Sequence, residues 1–288
     1  MVWVSALQIM LDEGKDHDWF ASTRIVILAI IALIGFISFL IWELTERNPV
    51  VDLKVFRHRG FTTSMVTLSL EFGAFFGITV LTPLWLQIYM GYTATMGVLA
   101  VFLAPLIATL ATKIDPRPLV FAGVLWLGLW TLFRSQADMS MTFSQISLPM
   151  LFQGIGMPLF FVPLTGISLG CVLEREMDSA AGLMNFIRTL SGAFATSMVN
   201  TSWENQTRYV HAELAGLTDR GSIATHAMLN NGMNIDEVRG SIEWMLQGQS
   251  VMVATNHIFM AIAAIFAVAA LVIWFAPKPK RVSISSVH

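Results

Sequence analysis

Apolar positions come in long unbroken runs along this chain, and polar positions collect between them. A helix crossing the ~30 Å hydrocarbon core of a bilayer needs ~20 mostly apolar residues. Seven runs qualify as candidate spans: residues 25–42, 61–89, 97–111, 118–133, 143–172, 180–203 and 251–276. Pro149, Pro158 and Pro163 fall inside the fifth. Neighbouring helices can satisfy the carbonyls that such prolines release, so they do not exclude a span. Residues 1–11 are apolar but too short to cross, and read as the end of a helix. The pattern predicts an all-α, polytopic transmembrane helical bundle.

Composition strengthens this. Apolar residues make up 55% of the chain and charged residues only 12%, against about 25% in an ordinary soluble domain, too few to cover a water-facing surface. The net charge of −2 offers nothing to nucleic acid. The single cysteine, Cys171, excludes an internal disulfide and a cysteine zinc site. No phosphate-binding glycine loop, zinc-protease motif or serine elbow occurs, so the sequence points away from an enzyme and calls for no cofactor or metal.

Charge placement orients the runs, because cytoplasmic loops carry excess Lys and Arg. Arg47, Lys54, Arg57 and Arg59, then Lys113 and Arg117, then Arg175, then Lys278, Lys280 and Arg281 all fall on one side if seven helices alternate. That side, with the C-terminus, is expected to be cytoplasmic. Lys15, Arg24 and Arg134 fall on the other. The polar stretch 204–250 is expected outside the cytoplasm, with helical patterning over 235–246. The chain thus divides into 1–24 (the end of a span plus an external loop), 25–60 (a linker helix and cytoplasmic loop), 61–203 (bundle helices), 204–250 (the external segment) and 251–288 (the last span and tail).

Four polar residues lie at membrane depth. Glu71 is a carboxylate near the middle of the second run. Such a group must be protonated, paired or wet. It reads either as a proton- or cation-binding acid or as the partner of an interior arginine. Arg188, with Asn185 three residues before it, offers such a partner in a helix of small residues. Gln153 sits in a Gly/Pro-interrupted stretch of the kind that bends around a substrate cavity. The alternatives are a structural ion pair and a simple packing kink. The 17 Met and 20 Phe suit lipid contact and adaptable apolar pockets alike. His257 is expected at the interface.

Several stretches, in this order and spacing, carry a family resemblance. They are LQIMLD at 7–12 with Asp18, Trp19 and Phe20; NPVVDL at 48–53 followed by Phe56, Arg57, Arg59, Gly60 and Phe61; and GYTAT at 91–95. Lys113, Asp115 and Arg117, then Gln153 with Gly154, Pro163 with Leu164, and NFIRT at 185–189 complete the set. The chain resembles the fourteen-span drug:proton antiporters of the major facilitator superfamily, specifically the Emr-type multidrug exporters.

The resemblance implies one linker helix plus the C-terminal half of a major facilitator fold. It also implies export of amphipathic compounds by proton antiport across a bacterial inner membrane, with a periplasmic adaptor protein and an outer-membrane channel as partners. Glu71, Gln153, Asn185 and Arg188 would then belong to the substrate and proton pathway, and Lys113, Asp115 and Arg117 to a gating turn on the cytoplasmic side. Two departures stand out: an abrupt join at Thr95 to Val98, and Ala108 and Thr109 where the family has Gly-Arg. The rival reading is a non-transporting scaffold subunit that docks a partner through 204–250.

Overall fold

The computed structural model describes residues 2–17, 19–46, 52–89, 115–137, 143–218, 228–230 and 234–277, and all regular structure among them is helical. The long helices are α1 (Val2–Glu13), α2 (Thr23–Thr45), α3 (Arg59–Tyr89), α4 (Pro116–Arg134), α5 (Phe143–Gly170), α6 (Met177–Thr218) and α7 (Ile235–Val272). Short 3₁₀ segments sit between them, among them Leu53–Arg57 and Glu174–Glu176. The expected run 97–111, the departures at 95–98 and at Ala108 and Thr109, Lys113, and the basic tail lie outside the described residues.

Five described helices are long and apolar enough to span a bilayer: Thr23–Thr45, Arg59–Thr82, Pro116–Arg134, Leu148–Gly170 and Ile235–Phe275. The run expected at 180–203 is helical throughout. Its polar content, including Asn185, Arg188, Ser197 and Asn200, keeps it below the apolar level of the other five. The boundaries expected at 203 and 250 are not helix ends. Both α6 and α7 pass through them unbroken. At 1.5 Å per residue these helices are ~63 and ~57 Å long, about twice the hydrocarbon core. Their outer parts run on together: Trp203 Nε1 donates to Thr255 Oγ1 at 3.0 Å, and Gln206 Nε2 meets His257 Nδ1 at 3.0 Å. Further out, His211 Nε2 lies 3.0 Å from Glu243 Oε1.

The core forms where α3, α4, α5, α6 and α7 converge. Phe61, Leu68, Leu81, Leu127, Phe160, Leu164, Phe259 and Phe266 are essentially inaccessible. On α4 the buried positions run 117, 120, 124, 127, 131 and 134, the three-and-four spacing of one helical face. Contact between α4 and α5 is very close. A Cβ placed on Gly123 would lie 2.8 Å from the Phe160 backbone nitrogen and 2.9 Å from the Leu159 carbonyl carbon. Inside a membrane, helix association rests on such small-residue approaches rather than on the hydrophobic effect. α5 remains helical through its three prolines.

Helices α1 and α2 form a hairpin against the flank of α6. Met10, Leu11 and Ile25 pack with Ala193. Ser197 Oγ donates to the Leu11 carbonyl at 2.7 Å. Lys15 Nζ lies 2.8 Å from Glu204 Oε1, and that hydrogen bond raises the Lys15 pKa above the ordinary lysine value despite partial desolvation. Little of α2 is buried, and Ile27, Leu33, Ile34 and Ile41 stand exposed along it, as suits a lipid-facing helix.

Candidate functional site

The four residues expected along the pathway occupy different places. Glu71 lies on the inward face of α3 with 0% exposure, and neither carboxylate oxygen has a hydrogen-bond partner among the described residues. Arg188 does not pair with it. The Arg188 guanidinium instead sits 5.6 Å from the Phe72 ring centroid, because Phe72 is turned from Glu71 by one residue, about 100° around α3. Asn185 is exposed, and its carbonyl accepts from Thr189 Oγ1 at 2.9 Å. Together with Ala181, Gly182 and Thr189 it makes an exposed small and polar face on α6.

Gln153 is buried in a network that the sequence did not reveal. Arg134 Nη1 donates to Gln153 Oε1 at 3.0 Å, and Arg134 Nη2 donates to Thr82 Oγ1 at 2.6 Å. Gln153 Nε2 donates to Thr131 Oγ1 at 3.1 Å. The Arg134 guanidinium also lies 4.6 Å from the Phe259 ring centroid. One arginine therefore joins α3, α4, α5 and α7. Its signal in the sequence is its place on the α4 face that begins with Arg117.

Asp115 is the N-cap of α4. Its carboxylate accepts from the Arg117 backbone N–H at 3.1 Å, and Pro116 follows at the first helical position. Both suit a helix start. The Arg117 side chain is turned inward, 6% exposed, with Nε and Nη2 unpartnered among the described residues. Nearby, Glu176 clasps the 3₁₀ segment ahead of α3. His58 Nε2 is 3.0 Å from Glu176 Oε2, Arg57 Nη2 is 3.4 Å from Oε1, and the Leu173 N–H donates to Oε2 at 3.4 Å.

Enclosure pushes the Glu176 carboxyl up, but the hydrogen bonds from His58 and Leu173 and the charge of Arg57 outweigh it and hold its pKa below the ordinary carboxylate value. A carboxyl shifted down on folding stabilises the fold fully above its unfolded pKa, and loses that contribution as pH falls through the folded one. The protection factors of residues 52–58, with the intrinsic pH dependence of amide exchange divided out, should therefore fall as the pH drops below the ordinary carboxylate range. Glu176→Gln should show fast exchange at neutral pH and no such pH step. Equal, pH-independent protection in both proteins would contradict the clasp.

The described residues also enclose a cavity of about 710 Å³ between α3, α6 and α7. Ser69, Gly73, Ser191, Met198, Ala261 and Ile265 are among its walls, and none of its lining residues is charged. Ser69 Oγ and Ser191 Oγ are 2.7 Å apart. Glu71, Gln153, Asn185 and Arg188 are not part of this wall. No group of three or more His, Cys, Asp or Glu side chains among the described residues is arranged to hold a metal.

No family model matches the chain. Curated relatives do. The multidrug export protein EmrB of Escherichia coli strain K12 is 35% identical over 292 residues, covering 97% of this chain and 57% of the relative. The fatty acid resistance protein FarB of Neisseria gonorrhoeae is 36% identical over 291 residues, again 97% of this chain and 57% of the relative. The Haemophilus influenzae EmrB is 36% identical over 96% of this chain. The chain spans little more than half the length of these relatives. Along nearly its whole length this multi-pass helical bundle is homologous to the Emr-type multidrug export proteins, of which it covers little more than half.

Proposed function

We propose that this chain forms the C-terminal portion of a multidrug efflux transporter, exporting amphipathic toxic compounds by proton antiport across the bacterial inner membrane. It is a transporter component rather than an enzyme. The observation that carries the proton part is Glu71. An enclosed acid at mid-span, without a partner among the described residues, needs a proton, a cation or water. The observation that favours a second bundle is the exposed face of Ala181, Gly182, Asn185 and Thr189, small and polar at membrane depth. Substrate would lie between two such bundles near the midplane and be exposed to each side in turn. The end carrying Asp115, Arg117 and Glu176 would be cytoplasmic, with the C-terminus, and the long outer parts of α6 and α7 would reach toward a periplasmic adaptor and an outer-membrane channel.

Glu71→Gln in the full-length transporter tests the proton assignment. In everted vesicles, drug-induced dissipation of an imposed pH gradient should slow at least about tenfold, the equivalent of ~1.4 kcal/mol in barrier height. Full dissipation and unchanged drug resistance would overturn the assignment. The scaffold alternative, in which residues 204–250 dock a partner and nothing is transported, draws support from exposed Tyr209, Trp244 and Met245 on the outer parts of α6 and α7. It predicts wild-type resistance in the same variant.

A further inference from the structure

Gly60, Ser64, Thr67 and Glu71 follow the three-and-four spacing of one face of α3. That face meets α5. A Cβ on Gly60 would touch Cys171 Sγ, just past the end of α5. Phe72, beside Glu71, stands edge-on to Phe160 and Phe161 with ring centroids 5.7 and 5.6 Å apart. The two helices therefore run antiparallel, and Ser64 and Ser168 fall at one level between these contacts. Ser64, Thr67, Glu71 and Ser168 are all 0% exposed. Thr67 Oγ1 and Ser168 Oγ donate to the carbonyls of Thr63 and Leu164 at 3.0 and 2.9 Å, so their oxygens are free to accept. Ser64 Oγ, like both carboxylate oxygens of Glu71, has no partner among the described residues. No other charge lies along the seam: α5 carries none, and α3 has only Arg59, exposed at its start. Arg59 and exposed Leu173 mark where this end of the seam reaches water.

Buried polar atoms without a protein partner are the places where folded chains hold ordered water. From the line of such atoms we infer that the α3–α5 seam is the route by which protons reach Glu71, with Ser64 as the relay. This route rests on the reading of Glu71 as the proton site. Ser64 and Glu71 are seven residues apart, ~10 Å along α3, so a few waters held by Thr67 and Ser168 complete it. Ser64 Oγ accepts a proton from a water on the Arg59 side and releases its own hydroxyl proton to a water on the Glu71 side. That water passes a proton to the carboxylate, and serine and water are both restored. Ser64 suits the relay because its hydroxyl hydrogen is not committed to a carbonyl, as those of Thr67 and Ser168 are. Beyond Glu71 the same face of α3 continues with buried Ala74 and Ile78, which offer a proton nothing, so the seam opens to one side only.

The test is hydrogen–deuterium exchange of the Glu71 carboxyl, read by infrared spectroscopy on the full chain in lipid nanodiscs. The C=O band of a protonated carboxyl moves to lower frequency when deuterium replaces its proton, and the band lost in Glu71→Gln identifies the residue. After transfer to heavy water at neutral pH, Ser64→Val should slow the shift of this band at least about tenfold, the scale of effect of a positioned proton-transfer group. Ser64→Thr, equal in size to valine but with the hydroxyl kept, should exchange like the parent. Ser168→Ala should also slow the shift, and carries the test if the Ser64 variants do not accumulate. Ser69→Ala removes a hydroxyl on another side of α3, where it bonds Ser191, and should leave the rate unchanged. Parent-like exchange in Ser64→Val and Ser168→Ala, or equal slowing in Ser69→Ala, would overturn the route and leave Glu71 as a proton site. A parent spectrum with no band removed by Glu71→Gln would overturn the reading of Glu71 itself.

Discussion

Replacing Gly123 by leucine is expected to destabilise the bundle strongly. At this position α4 and α5 touch backbone to backbone. Even a methyl group would lie 2.8 Å from the Phe160 nitrogen, 2.9 Å from the Leu159 carbonyl carbon and 2.9 Å from the Leu159 Cβ. Two of these are main-chain atoms of a helix, which cannot move without shifting α5 as a whole. Shifting α5 would also displace Gln153 from Arg134 and so loosen the network that joins four helices. Overpacking of a filled core costs about 1–3 kcal/mol or more. Leaving a buried polar partner unsatisfied adds about 1–3 kcal/mol. Against a net stability of about 5–15 kcal/mol, the sum is large.

The measurement is thermal unfolding in detergent, read as the monodisperse fraction after heating. The control is Gly154→Ala on the neighbouring helix. A Cβ at Gly154 meets none of the described residues within 4 Å, so alanine there should be neutral, or stabilising by up to about 1 kcal/mol through helix propensity. A Gly123→Leu protein that melts with the parent would show that α4 and α5 do not meet as described.

Much of the fold was legible because spans announce themselves by composition. Runs such as 25–42 and 118–133 have few charges and their ends carry them, so α2 and α4 fall where the pattern puts them. At the outer ends of α6 and α7 polarity does not mark the ends of the helices. The appearance of Glu204, Asn205 and Gln206 marks where a helix leaves the apolar layer, not where it stops. Backbone hydrogen bonds continue in water, and α6 runs to Thr218.

The site was less legible, for a different reason. Spacing along one helix tells which residues share a face, but not which residue of another helix stands opposite. Glu71 and Arg188 are the acid and base a reader would pair, yet one residue of rotation on α3 presents Phe72 to the arginine instead. Gln153 stands out in the sequence for its Gly/Pro surroundings, while its partner Arg134 sits at the end of a run, where it reads as a loop charge. The three-and-four spacing of Arg117, Val120, Val124, Leu127, Thr131 and Arg134 was the one signal that both arginines turn inward. The cavity along α6 could not be read at all. Its lining mixes Gly73 and three alanines with larger apolar residues on three helices, whose meeting depends on register.

The second large effect concerns transport itself. Alternating access requires two bundles that rock against each other around a central site. On the proposed reading the helices described here make one such bundle, with the α1–α2 hairpin on its flank, and the chain spans 57% of relatives such as the E. coli EmrB. The exposed face of Ala181, Gly182, Asn185 and Thr189 would then be the surface that closes against the second bundle. A lone bundle can bind, and can sit stably in a membrane, but it has nothing to alternate with. Efflux of a fluorescent lipophilic cation from pump-deleted cells measures this directly. The 288 residues expressed alone should give the background rate. Co-expression with the remaining N-terminal portion of an Emr-type relative should raise efflux at least about tenfold, and an uncoupler of the proton gradient should return it to background. Uncoupler-sensitive efflux from the 288 residues alone, or none after the second bundle is supplied and shown to assemble, would contradict the account.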